Sequence, residues 1–493
     1  MEKSKKASAL KYLYIIVSLI FIIPSLRYLI ENKTVLNFDK WFLFLLNDSS
    51  RETQTIQYIF ILALITIVYI LIIKYRQKLF DNIKKILIFT GIIGLIYVFS
   101  IPFTSSDIFY YMGVGRIDSA YGQNPYYTTI KEYVDENSKS EEQREKLEKD
   151  TVLIEANQGD WADTTVVYGP VWQLVCKTLT IFSFGNVDIG LLIFKIVNLI
   201  IHIFNCYLIY KLTGKKVFAI IYGLNPFILI EAITCVHNDI FVILFTLLSL
   251  YFMLKKRKLT ISMAFLALAT GIKYFSIMLL PFMLIYYFRK EKTLIRFVNC
   301  LKYGVIFVIV LIIPYLLYIK DFSILSGMLT QQTKIAKSIY IPITEFFKNV
   351  TLSDISTFLL YAFAIVYFFT CLTLLFKKKI TFSNVTRKYM IFLLIFVFGL
   401  ITQFEPWYLM WLIPVFMWQS SSNIKLIILI GIIVEFANSV FLLNGEGFEN
   451  GTPFVLVMYT LILASALVIE KQKNKRKIEC FTKRLKEEKN WVN

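Results

Sequence analysis

Residues 188–210 read DIGLLIFKIVNLIIHIFNCYLIY, an apolar run that as a helix rises about 35 Å, against a bilayer hydrocarbon core of about 30 Å. Four polar side chains interrupt it, Lys195, Asn198, His202 and Asn205, at the i, i+3, i+7 and i+10 spacing that puts all four on one helix face. A lysine near mid-membrane costs about 2.5–3.5 kcal/mol on insertion scales, so this face must meet protein or a wet cavity, not lipid. The stretch therefore reads as one helix of a membrane bundle, its stripe more simply explained by hydrogen bonding between helices than by a direct part in a reaction.

The rest of the chain repeats the pattern. Over 493 residues 57% are hydrophobic, more apolar surface than a soluble core of this length hides. Spans are expected near residues 10–30, 56–73, 86–103, 188–210, 217–232, 239–254, 258–272, 274–288, 298–318, 356–376, 388–403, 407–419, 424–443 and 453–470, about 14 crossings. The fold class is thus all-α, a polytopic transmembrane helix bundle. Residues 1–470 form one membrane-embedded body, and 471–493 a basic tail. The first run, Leu10 to Ile30, follows Lys3, Lys5 and Lys6 like a signal peptide but is too long and lacks a small-x-small site, so it reads as a signal anchor. Val171 to Phe184 is short, about 21 Å as a helix, and reads as re-entrant or as a steep half-span.

The net charge of +19 sits in short clusters between apolar segments, which points to membrane orientation and not to nucleic acid. With Val171 to Phe184 re-entrant, the basic clusters around Lys74–Lys85, Lys211–Lys216, Lys255–Lys258, Arg289–Lys292, Lys377–Lys379 and Lys471–Lys489 all fall on one side. That side is the cytoplasm, and both termini lie there. The opposite side holds residues 31–55, 104–170 as the main loop with short interfacial helices, 233–238, about 273, 319–355 as a second loop, 404–406 and 444–452. Within the main loop, Lys131 to Asp150 has the mixed charge of a solvated surface helix and carries no chemistry. Of six cysteines, Cys176, Cys206, Cys300 and Cys371 lie in apolar runs, Cys235 beside one and Cys480 in the tail, as small apolar fillers rather than disulfides or ligands.

Unusual residues collect on that second side. Asp107 stands just past the third span, with Tyr111 four residues on and Gly113 and Gly115 thinning the helix before Arg116. Tyr168-Gly169-Pro170 opens the short apolar piece. Asn225-Pro226 interrupts the span that leads through Glu231 to His237, Asn238 and Asp239. Lys273 lies between two short spans, and Glu405, Trp407 and Tyr408 lie at a further turn. Singly, each has an ordinary reading: Asp107 and Asp239 as helix N-caps, Arg116 and Lys273 snorkelling, Trp407 and Tyr408 in an interfacial belt. Collected on one face, they read as a site. No HExxH, cysteine cluster, P-loop or GxGxxG is present, so no zinc, nucleotide or other cofactor is indicated. A divalent ion held by Asp107 or Asp239 with a substrate phosphate stays open.

At these residues the chain resembles the C-fold class of polytopic glycosyltransferases, specifically the bacterial family-87-like and polyprenyl-phosphate-mannose-dependent mannosyltransferases. The matching pieces, in order, are SSDIFYYMGVGR with GQNPYY, VYGPVWQL, LNPFILIEAITCVHND, GIKYFSIMLLP and FEPWYLMWLIP. The resemblance implies Asp107 as catalytic base, a polyprenyl-phosphate-linked hexose as donor, mannose foremost, a lipid- or glycan-linked acceptor, and inversion at the anomeric carbon. Relatives often carry a paired acid, Asp-x-Asp. Here Ile108 and Phe109 follow, which leaves Asp107 a lone base. Displacing a phosphate needs one base and cations for the leaving group, for which Arg116, Lys273 and His237 are the candidates. Tyr111, Tyr168, Asn238, Asp239, Glu405, Trp407 and Tyr408 are the candidates for substrate contact. The expected setting is the bacterial plasma membrane. Rival readings are a transporter or flippase for a lipid-linked sugar, which would need inverted repeats and midplane polar groups, a ligase or polymerase of whole glycans, and a silent subunit.

Overall fold

The computed structural model describes residues 2–22, 51–102, 104–331, 335, 338–346, 351–413, 431 and 460. The spans expected at 424–443 and 453–470, the basic tail with Cys480, and most of 31–55 lie outside the described residues, as do parts of 319–355 and the end of 407–419. Among the described residues there is no strand, and the buried apolar side chains form one contiguous core from Tyr14 to Leu412.

Five helices are long and apolar enough to cross a membrane: Tyr58–Leu79, Val187–Thr213, Thr293–Leu317, Ser353–Phe376 and Phe382–Leu400. A sixth crossing results if Lys216–Gly223 and Pro226–Thr234, which meet at 54°, act as one span. Asp239–Leu254, Leu259–Thr270 and Tyr274–Tyr287 are shorter apolar helices; the first two rise only about 24 and 18 Å. The protein is thus an all-α polytopic membrane protein, with fewer full-length crossings among the described residues than hydropathy suggests. The physical reason is local: Asn225-Pro226, Lys273 and Glu405-Pro406 cut apolar runs short where the polar residues collect.

Val187–Thr213 is the most regular of these helices. Asn186 caps its start, accepting the Ile189 N–H at 3.0 Å, and Gly214, at φ +69°, closes its end by donating to the Tyr210 carbonyl at 2.8 Å. Its polar stripe is buried, and each of the four side chains reaches a backbone carbonyl of a neighbouring segment. Lys195 donates to the Ser100 carbonyl, Asn198 to that of Ala232 at 2.6 Å, His202 Nε2 to that of Gly223 at 3.0 Å, and Asn205 to that of Ile240 at 3.1 Å. Two of these carbonyls, those of Gly223 and Ala232, lie in the broken span, where the regular helical pattern is interrupted, and that of Ile240 lies at the start of the next helix. Proline in the span removes an N–H, and the chain then widens into a π-helical turn over Ile230–Thr234. The stripe therefore supports an irregular backbone in an apolar surrounding.

The segment Lys131 to Asp150 forms two surface helices instead of one, Ile130–Asn137 and Glu141–Lys149. A capping box joins Thr129 and Glu132, and Ser140 caps the second helix, interrupting the run. The short apolar piece is a helix over Pro170–Ile181 that packs on Asp107–Ser119. A Cβ on Gly115 would lie 2.5 Å from the Cys176 carbonyl oxygen, so glycine there allows the two backbones to touch.

Candidate active site

Four separated stretches meet at the start of the Asp107–Ser119 helix. Asp107 is its first residue, but its side chain does not cap it: the N-cap position belongs to Ser106, which makes no side-chain cap bond. The carboxylate instead accepts a hydrogen bond at Oδ2 from the Tyr111 hydroxyl, one turn on, at 3.1 Å. Since Tyr111 has a single proton, Tyr168, 3.1 Å away, donates to Tyr111, and the chain runs Tyr168 to Tyr111 to Asp107. With its side chain only 13% exposed, Asp107 has its carboxyl pushed up to about 6 by burial and then by the negative charge of Glu405. The Tyr111 hydrogen bond and the charge of Lys273 pull the other way.

Tyr168 and Lys273 are joined by backbone. The Gly169 N–H donates to the Ile272 carbonyl at 3.1 Å and the Val171 N–H to that of Gly271 at 3.0 Å. A Cβ on Gly169 would sit 2.2 Å from the Gly271 oxygen, so this crossing admits only glycine. Lys273 Nζ lies 2.7 Å from Asp239 Oδ1, which also accepts the Trp411 indole N–H. Like Asp107, Asp239 opens a helix without acting as its cap; that position belongs to Asn238. The ammonium is surrounded by the rings of Tyr408 at 4.9 Å, Trp411 at 5.2 Å and Tyr168 at 5.8 Å. Burial lowers the pKa of Lys273, and Asp239 opposes that shift.

The approach to Asp239 is strained. Val236 is at φ +60°, a conformation that β-branched residues rarely adopt, and it turns the chain from the π-helical turn into His237. The His237 ring stacks on Trp407 with centroids 3.6 Å apart and 17° between planes. Its Nε2 lies 3.0 Å from Glu231 Oε2 and its Nδ1 3.7 Å from Asp107 Oδ2. Asn238 is fully buried, and neither of its amide atoms has a hydrogen-bond partner among the described residues. Glu405 is buried and close enough to act on both Asp107 and Lys273.

Of the residues singled out from the sequence, Asp107, Tyr111, Tyr168, His237, Asn238, Asp239, Lys273, Glu405, Trp407 and Tyr408 come together here. Arg116 does not. It lies nine residues along the helix from Asp107, about 13 Å, where its Nε is 2.6 Å from Asp150 Oδ2. His237 is flanked by two carboxylates and so is not a free cation. Asp107 is alone in its own stretch but not in space, because Glu231, Asp239 and Glu405 approach from elsewhere. The sequence reading did not assign Glu231 or Trp411 a role. A carboxylate inside an apolar span is the signal that marks Glu231; nothing local marks the indole of Trp411 as a partner of Asp239. Among the described residues no three His, Cys, Asp or Glu side chains converge in a metal-holding group.

An all-helical membrane body enclosing a buried carboxylate, a caged cation and a shelf of aromatic rings has the parts that a membrane glycosyltransferase requires. The chain belongs to the family described as alpha-(1->6)-mannopyranosyltransferase, N-terminal domain, whose model matches residues 26–289, more than half its length. It is accordingly a mannosyltransferase of that family. The matched region carries Asp107, Tyr111, Tyr168, Glu231, His237, Asp239 and Lys273; Glu405, Trp407 and Trp411 come from beyond it. No curated protein and no solved structure matches the chain.

Proposed function

We propose that this protein moves one mannosyl residue from a polyprenyl-phosphate carrier to a lipid- or glycan-linked acceptor at the outer face of a bacterial plasma membrane, with inversion. Both termini are on the cytoplasmic side. The observation that carries the reading is the desolvated Asp107 carboxylate, held at one oxygen by Tyr111 and facing a buried cation, Lys273. In the reaction Asp107 takes the proton of the acceptor hydroxyl as the new carbon–oxygen bond forms. The bond from the anomeric carbon to the phosphate oxygen breaks, and its electron pair leaves with the phosphate. Lys273 stabilises that leaving group, and no carboxylic acid is needed to protonate it, unlike in a glycosidase. Asn238 offers one donor group and one acceptor to sugar hydroxyls, and Trp407 and Tyr408 offer flat faces to a sugar ring or prenyl chain.

The family's description supports an alpha-(1->6) linkage. An alpha product formed with inversion requires a beta-linked donor, which makes donor configuration a direct test. Membranes containing the protein are offered polyprenyl-phosphate mannose, glucose and galactose, each in both anomeric forms, and products are identified by mass spectrometry. Transfer from the beta-mannosyl donor alone is expected. Transfer from the alpha form would remove inversion, and preference for another hexose would remove mannose. For orientation, a cysteine at Asn137 is expected to react with an impermeant thiol reagent in intact cells and one at Lys256 is not; the opposite pattern would invert the topology.

A further inference from the structure

The Glu231 carboxylate, fully buried in the π-helical turn, does not stand in the catalytic scheme above, yet everything around it is arranged. The Thr104 hydroxyl, three residues before Asp107, donates to Glu231 Oε2 at 3.3 Å and so ties the turn to the segment that carries the base. The same Oε2 faces His237 Nε2 at 3.0 Å. The backbone adds a further tie, from the His237 N–H to the Glu231 carbonyl at 3.0 Å. Trp407, stacked on the imidazole at 3.6 Å, blocks rotation of the ring out of this plane. With Nε2 and the ring plane fixed, Nδ1 faces Asp107, 3.7 Å from Oδ2.

The Tyr111 hydroxyl hydrogen-bonds Oδ2, the His237 ring lies against the same oxygen at 3.7 Å, and the Ser105 side chain also hydrogen-bonds the carboxylate. The carboxylates of Glu231 and Asp107 meet opposite ring nitrogens at ion-pair distances of 3.0 and 3.7 Å, and only a ring with a proton on each nitrogen is attracted to both.

We propose that Glu231 and His237 are a positioning pair for Asp107: Glu231 and the Trp407 stack fix the doubly protonated ring, and its charge beside Oδ2, together with the Tyr111 hydrogen bond, orients the carboxylate that accepts the proton of the acceptor hydroxyl. This rests on Asp107 being the base. It also gives His237 a different task from holding the donor phosphate, and the two tasks separate kinetically. A phosphate ligand acts on donor saturation, whereas a residue that aims the base acts on turnover.

The test uses the full chain in lipid nanodiscs with a polyprenyl-phosphate mannose donor, comparing Glu231→Gln, His237→Gln and the double variant. Each single change is expected to lower kcat about 10- to 100-fold, the range typical when a carboxylate–imidazole orienting contact is cut, with donor KM left close to that of the parent. Because the two residues act as one unit, the double variant is expected to be no worse than the weaker single one. Multiplying losses, unchanged turnover in either single variant, or a loss confined to donor KM would each overturn the pairing, the last returning His237 to the phosphate. If Glu231→Gln does not fold, Thr104→Val removes the hydroxyl that anchors Glu231 and must lower kcat in the same direction, with KM unchanged, for the proposal to stand. Asp107→Asn is run alongside. Retained turnover there would refute Asp107 as the base, whereas a dead Asp107→Asn beside fully active Glu231 and His237 variants would refute the positioning pair alone.

Discussion

The two ends of the Asp107–Ser119 helix both bring carboxylates together with cations, and they do so to opposite effect. At its far end Asp118 accepts from Gln173 at 3.1 Å, Lys177 at 2.6 Å and Tyr318 at 2.8 Å. Beside it, Asp150 accepts from Arg116 at 2.6 Å, Tyr121 at 2.9 Å and the Leu153 N–H at 3.2 Å. Those two acids are saturated, and what they do is clamp neighbouring helices. At the near end Asp107 is buried beside Glu405, and the hydrogen bonds from Tyr111 and Ser105 with the charge of Lys273 offset that only in part. The contrast separates structural from chemical carboxylates by how completely each is satisfied, a distinction that burial alone does not make.

The largest expected difference between the two ends is in rate. Asp107→Asn keeps shape and hydrogen-bonding reach but loses the basic oxygen, so mannosyl transfer should fall by about 10²–10⁴ while thermal unfolding stays near that of the parent. Asp118→Asn should do the reverse. Turnover near normal in Asp107→Asn would erase the contrast and move the search for the base to Asp239 or Glu405. Next comes stability: Arg116→Ala leaves Asp150 buried without its main partner and is expected to cost about 3–5 kcal/mol, read by thermal denaturation, with donor saturation unchanged. A shift in donor KM would instead return Arg116 to the phosphate.

A pH profile sharpens the near end further. Burial and Glu405 hold the Asp107 carboxyl up at about 6, and the base must be ionised, so kcat/KM should rise with pH through that value and level off above it. Below it, activity should fall about tenfold per pH unit. Glu405→Gln takes away a negative charge that opposes ionisation, and the acid limb should then move to lower pH. An unmoved limb would mean Glu405 does not face the base. The smallest effect is expected on the solvated surface: Arg144 and Glu148 pair at 3.0 Å with side chains 66% and 62% exposed, and Arg144→Ala should change stability by no more than about 0.5 kcal/mol.

Much of this was legible before any coordinates. Apolar run length identified the membrane body, and local polarity marked the stretches at Asp107, Tyr168, His237–Asp239, Lys273 and Glu405–Tyr408 that converge. What stayed hidden was set by partners far away in the chain. Arg116 and Lys273 look alike as cations beside an apolar run, yet Asp150 takes one and Asp239 the other. The contact between Trp411 and Asp239 joins residues 172 apart, and no local spacing encodes it. The length of individual helices was also hidden, because hydropathy does not register that the break at Leu224-Asn225, ahead of Pro226, bends one run by 54°. The face of the Lys195 stripe could be read directly, but not that backbone carbonyls of a broken helix would fill it.

That stripe also constrains the order of assembly. The ribosome delivers Val187–Thr213 before Lys216–Asp239, so for an interval Lys195, Asn198, His202 and Asn205 enter lipid without most of the carbonyls they will bind. A helix so burdened is a poor passenger on its own and a good one in company. Insertion at this point of the chain is then a paired event, the straight helix waiting at the translocation channel until the bent one arrives to complete it. A chain ended at Gly214 should consequently be retained at the channel or degraded, where one ended at Leu254 is integrated.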